Sequence, residues 1–422
     1  LAEEPFMQNW ENLSEFKIRA SWGEIGFEGI GNFESQAGIS TNTNAIIDNQ
    51  EAQGAFFDRL ANPELEWEIT TMTNVGIDVG FLQNRVQFSA EWYQRETDNL
   101  ILSVPAPPSQ GFANSTIANV GAMENWGIDF VGSYYSKPGA DFQWNVSANF
   151  GLFRNEVVAL STDTGALFAG NNSDFGGFDV TRTTAGDPIQ SFYGWRTQGI
   201  FQSQAQIDEF NALDGDPSTP YQANAAPGDI IFVDIDGSND ITAGDREVIG
   251  SFLPDFNYGL NFEATYKNFF LNLYLYGNQG NDVYNGTRVL TEGGLRLFNA
   301  GVAVLDAWTP TNTDTNIPRM INGDPNQNTR TSDRFIEDAS FLRLQNVRIG
   351  YTFPTDWLED NLGGALDNLG FYISGNNLLT FTGYSGYDPE IGARNNNLNI
   401  QGIDFGQYPR PRTILMGLDI GF

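Results

Sequence analysis

The chain has 422 residues, and its 53 acidic against 21 basic residues give a formal charge of −32 at pH 7. This acidic excess argues against a surface for nucleic-acid backbones, which needs clustered lysine and arginine. Cysteine and histidine are both absent, so disulfides, thiolate zinc sites and catalytic sets built on Ser/His or Cys/His are excluded.

Alternation of apolar with polar or small residues is the dominant pattern along the chain. "NVGIDVGF" (74–81) places its valines, isoleucine and phenylalanine on one face, and a short turn leads into the matching segment 86–92. The same pairing recurs later across the turn at 267–268, between 258–266 and 269–275. A period of two residues predicts β-strands with one apolar face.

About twelve strands are expected from this alternation. They are predicted near 14–24, 68–82, 85–102, 116–136, 142–158, 177–184, 190–202, 253–266, 269–278, 335–353, 369–382 and 412–422. The only helical pattern is a short one at "SQAQIDEF" (203–210), and no run of about 18 apolar residues predicts a transmembrane helix.

The lengths of the strands and of their connections favour a membrane barrel. Several predicted strands exceed the roughly 5–6 residues of an average soluble strand and reach the roughly 9–11 needed to cross a bilayer. Short connections are predicted at 83–84, 137–141, 185–189, 267–268 and 354–368, and long ones lie between them. Short periplasmic turns alternating with long extracellular loops are typical of outer-membrane barrels. A soluble sandwich or propeller stays an alternative, because alternation alone does not exclude it.

The C-terminal segment "RPRTILMGLDIGF" fits the same interpretation. Apolar side chains occupy every second position from Ile414 to the terminal Phe422. A strand in lipid must pair all its backbone groups, so its sheet has to close. A terminal phenylalanine also resembles the signal by which barrel-assembly machinery recognises its clients. The alternative is a buried last strand of a soluble sheet.

"DIDGSNDITAGD" (234–245) is the sharpest local motif. It resembles a calcium-binding loop, in which alternate positions supply oxygen ligands. The ligand positions hold Asp234, Asp236, Ser238, Asp240 (through its carbonyl), Thr242 and Asp245. Asn239 stands where glycine is usual, and the last ligand is Asp rather than Glu. We predict that calcium rigidifies a long external loop here; the alternative is an acidic turn whose carboxylates cap backbone amides.

Aromatic residues of the long loops are candidates for contacts with a nutrient. Tyr284, Trp308, Tyr384, Tyr387 and Tyr408 could stack on sugar rings or pack against peptides, and the alternative is interfacial or loop packing. No binding role is assigned to "TFTGYSGYDPE" (380–390) on sequence grounds. No two of the acidic residues stand at a spacing that singles out a glycosidase pair, so no enzyme is expected.

Several stretches together resemble the barrel region of SusC/RagA-type TonB-dependent outer-membrane transporters. They are "LANPELEWE" (60–68), "TNVGIDVGF" (73–81), "GDPIQSFYGWRTQGIFQ" (186–202), "PGDIIFVDIDGSNDITAGDREVIGSFLPDFNYGLNFEATYKNF" (227–269), "DASFLRLQNVRIGYTFP" (338–354), "LGFYISGNNLLTFTGYSGYDPE" (369–390) and the Phe422 terminus. The resemblance implies an all-β fold, an antiparallel transmembrane barrel of about 22 strands of which residues 1–422 supply the C-terminal twelve or so. The N-terminal plug, the TonB box and the first strands are expected to lie outside this sequence, which begins at Leu1 as if in mid-protein.

The function that the resemblance implies is active import of a bulky nutrient, a glycan or an oligopeptide. Its expected partners are a SusD-like lipoprotein over the outer mouth, TonB acting through the N-terminal region, and outer-membrane lipid. A dimer of transporter–lipoprotein pairs is compatible with this. Two alternatives stay open: a barrel scaffold within a larger outer-membrane assembly, and a secreted β-rich adhesin or carbohydrate-binding protein. The N-terminal sequence separates the first alternative, and detergent dependence separates the second.

Overall fold

A computed structural model of the chain describes residues 4, 10, 12–104, 109, 116–161, 165–171, 173, 176–216, 219–295, 299–393 and 400–422. Its strands are β1 (Leu13–Phe27), β2 (Gly38–Ile47), β3 (Gln50–Arg59), β4 (Glu68–Phe81), β5 (Val86–Val104), β6 (Thr116–Tyr135), β7 (Phe142–Leu160), β8 (Ala166–Ala169), β9 (Thr181–Thr184), β10 (Ser191–Trp195), β11 (Thr197–Ile200), β12 (Ile230–Phe232), β13 (Arg246–Gly250), β14 (Phe256–Tyr266), β15 (Phe269–Gln279), β16 (Asp282–Asn285), β17 (Ile336–Asp338), β18 (Phe341–Thr352), β19 (Asn368–Thr382), β20 (Ile403–Asp404) and β21 (Thr413–Gly421). Its helices are α1 (Gln204–Asn211), α2 (Gly286–Glu292) and α3 (Thr355–Leu362), with 3₁₀ turns at Ala243–Asp245, Val302–Asp306 and Asp333–Phe335.

One antiparallel sheet, here called the wall, organises the described residues. It has ten strands in the order β1-β4-β5-β6-β7-β14-β15-β18-β19-β21. Neighbouring strands of the wall follow one another along the chain. Their registers place apolar residues opposite apolar residues: Ile77 pairs with Ile18 on one side and Ala90 on the other. Because side chains alternate across a sheet, this register collects the apolar side chains on one face.

Short and long connections alternate along the wall, as predicted. Residues 82–85, 136–141, 267–268 and 353–367 join strands at one end, here called the turn end. Residues 28–67, 105–115, 161–255, 280–340 and 383–412 join them at the other, here called the loop end. β21 runs toward the turn end, so Phe422 lies there.

The prediction of twelve wall strands is wrong by two. Segments 177–184 and 190–202 form only the short strands β9, β10 and β11, which belong to small sheets inside the long connection between β7 and β14. The link 185–189 consequently lies at the loop end, where Gly186 N donates to Val157 O at 2.9 Å. Strands of four or five residues are too short to cross a bilayer, which takes about 9–11.

Two smaller expectations have different outcomes. The segment 335–353, predicted as one strand, is divided into β17 and β18. The predicted helix at 203–210 is confirmed as α1, and Ser203 caps it by accepting from Gln206 N.

No protein layer formed by the described residues covers the apolar face of the wall, here called the outer face. Phe269, Ile414 and Met416 expose 57%, 70% and 73% of their surface. In a soluble sandwich such residues would be covered by a second sheet. The opposite, inner face is polar and internally paired: Arg19 contacts Asp78 at 2.8 Å and Glu91 at 2.5 Å. Apolar outside and polar inside is the distribution of a membrane barrel wall.

The main hydrophobic core lies at the loop end, in a body here called the cap. The cap comprises the described parts of 161–255, 280–340 and 383–412. Its largest core cluster draws on all three segments: Val180, Phe192, Tyr284, Val289, Phe335 and Ile403. β16 also pairs with β17 and with β20, so the segments 280–340 and 383–412 share a sheet. In the described residues no helix is long and apolar enough to cross a membrane.

Candidate functional site: the acidic turn, the mouth and the inner face

The acidic turn at 234–245 brings three of its six predicted ligands together. One carboxylate oxygen each from Asp234, Asp236 and Asp245 lies within 4.8 Å of the others. Left-handed conformations at Gly237 and Asn239 bend the chain around them. Asn239, at the position where a calcium loop usually has glycine, fits this geometry because Asn tolerates positive φ.

The same carboxylates serve backbone amides. Asp234 accepts from Gly237 N at 2.7 Å and from Asn239 N at 2.8 Å. Asp245, fully buried, accepts from Ile235 N at 2.8 Å and from Thr242 N at 2.7 Å. These bonds are those of a capped turn, so the turn's geometry is compatible with both alternatives, a metal loop and a self-capped turn.

The remaining predicted ligands make local contacts. Ser238 Oγ donates to the carbonyl of Asp240 at 3.0 Å, and Thr242 Oγ1 accepts from Gly244 N at 3.0 Å. Hydrogen bonding with Ser238 holds the pKa of the exposed Asp236 carboxyl below its usual range. Calcium at this turn stays a prediction.

A buried arginine lies beneath the turn. Trp195 Nε1 donates to Thr242 O at 2.7 Å, and the guanidinium of Arg330 stacks 4.9 Å from the Trp195 ring and 4.4 Å from the Phe232 ring. Burial lowers the pKa of Arg330 to about 10, although the charges of Asp324 and Asp245 oppose that shift. A buried protein cation therefore lies beside the acidic turn, against the Trp195 ring that hydrogen-bonds to it.

A loop segment, here called the strap (383–393 and 400–412), crosses the loop end of the wall. Arg343, on the inner face of β18 and only 1% exposed, donates to Asp388 at 2.5 Å and to Glu390 at 3.1 Å. Arg410 also pairs with Glu390 at 2.6 Å, and Tyr276 of β15 donates its hydroxyl to the same carboxylate. The network ties the strap to the rim of the inner face.

The five candidate loop aromatics separate into two groups. Tyr284, Trp308 and Tyr384 are buried in the cap, where the Tyr384 hydroxyl donates to Asp404 at 2.6 Å. Burial and the Asp404 carboxylate raise the pKa of Tyr384. Tyr387 and Tyr408, both on the strap, are exposed. For the buried three, the alternative of loop packing is the correct one.

Along the inner face, polar groups and rings are held by their neighbours. Arg348 pairs with Asp419 at 3.1 Å, and its guanidinium stacks 3.8 Å from the centre of the Tyr372 ring. That ring crosses Gly417 so closely that a Cβ there would lie 2.3 Å from a ring atom. The inner face thus presents a fixed polar lining.

Comparison with known proteins identifies the family to which a chain with such a wall belongs. Residues 9–378 match the family model described as TonB dependent receptor-like, beta-barrel. The chain belongs to this family. It is a transporter and receptor family whose barrels are outer-membrane proteins, and the fold is accordingly all-β and antiparallel, part of a transmembrane barrel.

Individual relatives of the family align with the whole chain. TonB-dependent receptor P3 of Formosa agariphila is 34% identical over 430 residues, covering 100% of the chain and 41% of the relative. TonB-dependent receptor SusC of Bacteroides thetaiotaomicron is 30% identical over 437 residues, covering 100% of the chain and 39% of the relative. The chain spans about two fifths of the length of the curated relatives it matches.

A solved structure of the RagAB peptide importer in its closed-closed state superposes with a TM-score of 0.78 at 27% identity. The alignment covers 99% of this chain and 42% of that one. The resemblance to SusC/RagA-type transporters inferred from the sequence is therefore confirmed.

Sequence reasoning missed the Arg343 network. Its signal was present: Arg343 interrupts the apolar segment "FLRL", and Asp388 and Glu390 flank Pro389 in "YDPE". An arginine inside a strand needs a partner, but the sequence does not show which of the 53 acids is near it.

Proposed function

We propose that the protein containing this chain imports a bulky nutrient, a glycan or an oligopeptide, across the outer membrane in a TonB-dependent way. It works with a SusD-like lipoprotein at the loop end. The observation that carries this is the family match over residues 9–378, on a wall whose apolar outer face is left uncovered by the part of the chain that the structure describes. SusC and the RagAB importer, which align with the chain at 30% and 27% identity, support the nutrient class and the partner.

Within that function the residues of this chain bind and orient but make or break no bonds. The outer face contacts hydrocarbon, the inner face lines a polar passage, and the cap and strap form the outer surface that first meets the nutrient. Energy from the inner membrane reaches the barrel through TonB. The chain therefore contributes no catalytic group.

Deletion of the gene in its native host tests the proposal. We expect the deletion strain to lose growth on, and uptake of, one nutrient from a panel of polysaccharides and oligopeptides. Uptake in the parent strain should stop when a protonophore collapses the proton gradient. Affinity purification from outer membranes should recover a lipoprotein, and native mass spectrometry should show whether transporter–lipoprotein pairs dimerise. Unchanged uptake across the panel, or uptake that ignores the protonophore, would contradict active import and favour the scaffold.

The uncovered outer face also bears on the adhesin alternative. An exposed apolar surface of this extent does not stay dispersed in water. We expect the protein to sediment with membranes and to need detergent for extraction. Recovery from culture medium without detergent would favour a secreted protein.

A further inference from the structure

Two tyrosine side chains of the strap extend into solvent. Tyr387 is 76% exposed and Tyr408 is 94% exposed. In the described part of the chain, neither ring stacks on another aromatic ring. Exposed tyrosine offers a large contact area at a low cost in conformational entropy, and it is therefore enriched where proteins contact ligands.

The backbone that carries these rings is held in place. Asp388, next to Tyr387, accepts from the main-chain N of Arg410 at 3.2 Å, and Gln407, next to Tyr408, donates to Gly392 O at 3.3 Å. The two limbs of the strap are thus joined beside each ring. Arg343 fastens the joined limbs to the rim of the inner face, as described above. Because the backbone that carries the rings is already ordered, binding a ligand on them costs less conformational entropy.

Four charged side chains beside the rings pair with one another. Asp388 and Glu390 are paired with Arg343 and Arg410 at distances from 2.5 to 3.1 Å. Two carboxylates and two guanidiniums leave no unpaired charge in this network, although the chain as a whole carries −32. A charged peptide would find no counter-charge in the network, whereas a neutral ligand needs none.

We propose that Tyr387 and Tyr408 are contact residues for neutral sugar rings at the mouth of the passage, and that Arg343 is the positioning residue for both. The C–H faces of a pyranose ring pack on the aromatic faces, and the phenol hydroxyls hydrogen-bond to sugar hydroxyls. This rests on the proposed function, and within it selects glycan over oligopeptide as the nutrient class.

Binding is tested on the protein purified with its lipoprotein from native outer membranes in detergent. The probes are maltohexaose, laminarihexaose, xylohexaose and mannohexaose, with a mixture of charged decapeptides as the competing class. We expect one hexasaccharide to bind, and Tyr387→Ala with Tyr408→Ala to weaken its Kd about tenfold. Tyr387→Phe with Tyr408→Phe keeps the rings and should cost about threefold or less. Phe168→Ala, which removes an exposed cap ring that does not belong to the strap, is the matched control and should leave Kd unchanged.

The positioning role has its own readout. Arg343→Lys keeps the charge but loses the guanidinium fork that engages both carboxylates. We expect this variant to exchange hydrogen faster in 386–392 and to bind the hexasaccharide more weakly, although both tyrosines are intact. Unchanged exchange and affinity would remove Arg343 from the proposal.

Failure of this inference is distinguishable from failure of the import function. If deletion abolishes uptake of some nutrient but no hexasaccharide binds, or the decapeptides bind instead, the sugar site is wrong and import stands. The same holds if the double Ala variant binds the hexasaccharide as tightly as the parent. If no nutrient depends on the gene, import itself fails.

Discussion

Asp234, Asp236 and Asp245 concentrate three carboxylates in one turn, and at the scale of single residues the question is what neutralises them. Their mutual repulsion falls if a divalent cation binds. We expect the purified protein to hold about one calcium per chain at this turn after dialysis, and Asp234→Ala with Asp236→Ala to lose it. Metal content is measured by inductively coupled plasma mass spectrometry.

A matched control comes from another acidic turn. Asp214 caps Asp216 N at 2.8 Å and binds the Thr219 hydroxyl at 2.5 Å, outside any cluster of three acids in the described residues. Asp214→Ala should leave the calcium content unchanged. Equal calcium in all three proteins would identify 234–245 as a self-capped turn.

Glu337 gives a pH prediction for the cap. Burial by itself would raise the pKa of this carboxyl, but hydrogen bonds from Ser385 and Arg288 outweigh it and lower the pKa from 4.5. A carboxyl with a lowered folded-state pKa stabilises the fold above its unfolded pKa, and this stabilisation is lost as pH falls through the folded pKa. Glu337→Gln should therefore destabilise the cap at pH 7 by about 1–3 kcal/mol.

The difference between Glu337→Gln and the parent should begin to shrink below about pH 4.5, where the unfolded parent chain becomes protonated at Glu337, and should be lost below the lower folded-state pKa. This stability difference is measured from pH 7 to 3.5 as hydrogen-exchange protection in 383–386, corrected for intrinsic exchange rates. A difference that stays constant over this range would show that hydrogen-bond geometry, not charge, is what Glu337 contributes.

At the scale of elements, adjacent residues of β15 provide a direct test of which face meets lipid. Leu271 lies on the outer face, opposite Ala264 and Ile349, whereas Asn272 lies on the inner face, opposite Glu263 and Arg348. Leu271→Lys should cost about 2–4 kcal/mol if it lies near the middle of the bilayer. Asn272→Lys places the same charge one residue away on the polar lining and should be tolerated.

The free energy of unfolding of both variants is measured by urea titration in bilayers. Heat-modifiable electrophoretic mobility reports the folded fraction at each urea concentration. Since the chain holds no cysteine, a spin label on Phe269→Cys or Ile414→Cys reports the same face without background from this region. Lipid-soluble quenchers should reach both labels. Labels shielded from the quenchers, with both Lys variants equally stable, would mean that a second protein layer covers the wall.

At the scale of the whole molecule, the wall and the cap are held together by different forces. The wall relies on backbone pairing and lipid, and the cap on a buried core and buried polar contacts. Asp229, fully buried, pairs with Arg319 at 2.8 and 2.9 Å and joins the segment 161–255 to 280–340. Arg319→Ala leaves that buried carboxylate without its ionic partner, although Ala226 N and Asn328 still donate to it, and should destabilise the cap by about 3–5 kcal/mol.

The wall should survive this change. We expect faster chymotrypsin cleavage of the cap in Arg319→Ala, with the heat-modifiable mobility of the barrel unchanged. Arg154→Ala is the control. Arg154 forms an ion pair with Asp255 at 3.4 Å, and because both side chains are exposed this pair contributes about 0–1 kcal/mol to stability. Loss of barrel mobility together with the cap would show that the two bodies unfold as one.

The wall strands could be predicted from the chain because their side chains alternate between two solvents. For β4, β5, β14, β15 and β21, lipid on one face and a polar lining on the other impose a period of two that local sequence displays. The short strands of the cap carry a weaker signal. The sequence predicts wall strands at 177–184 and 190–202, and only the few-residue length of β9, β10 and β11 in the fold corrects this.

Contacts between distant segments were decided by tertiary structure alone. The acidic turn was visible because its residues are consecutive, but the partners of its carboxylates were not. Arg343 and Glu390 lie 47 positions apart, and Asp229 and Arg319 lie 90 apart. With 53 acids available to 21 basic residues, composition cannot select these pairs. Chain folding selects them, because burial penalises any arginine or aspartate that reaches the interior without its partner.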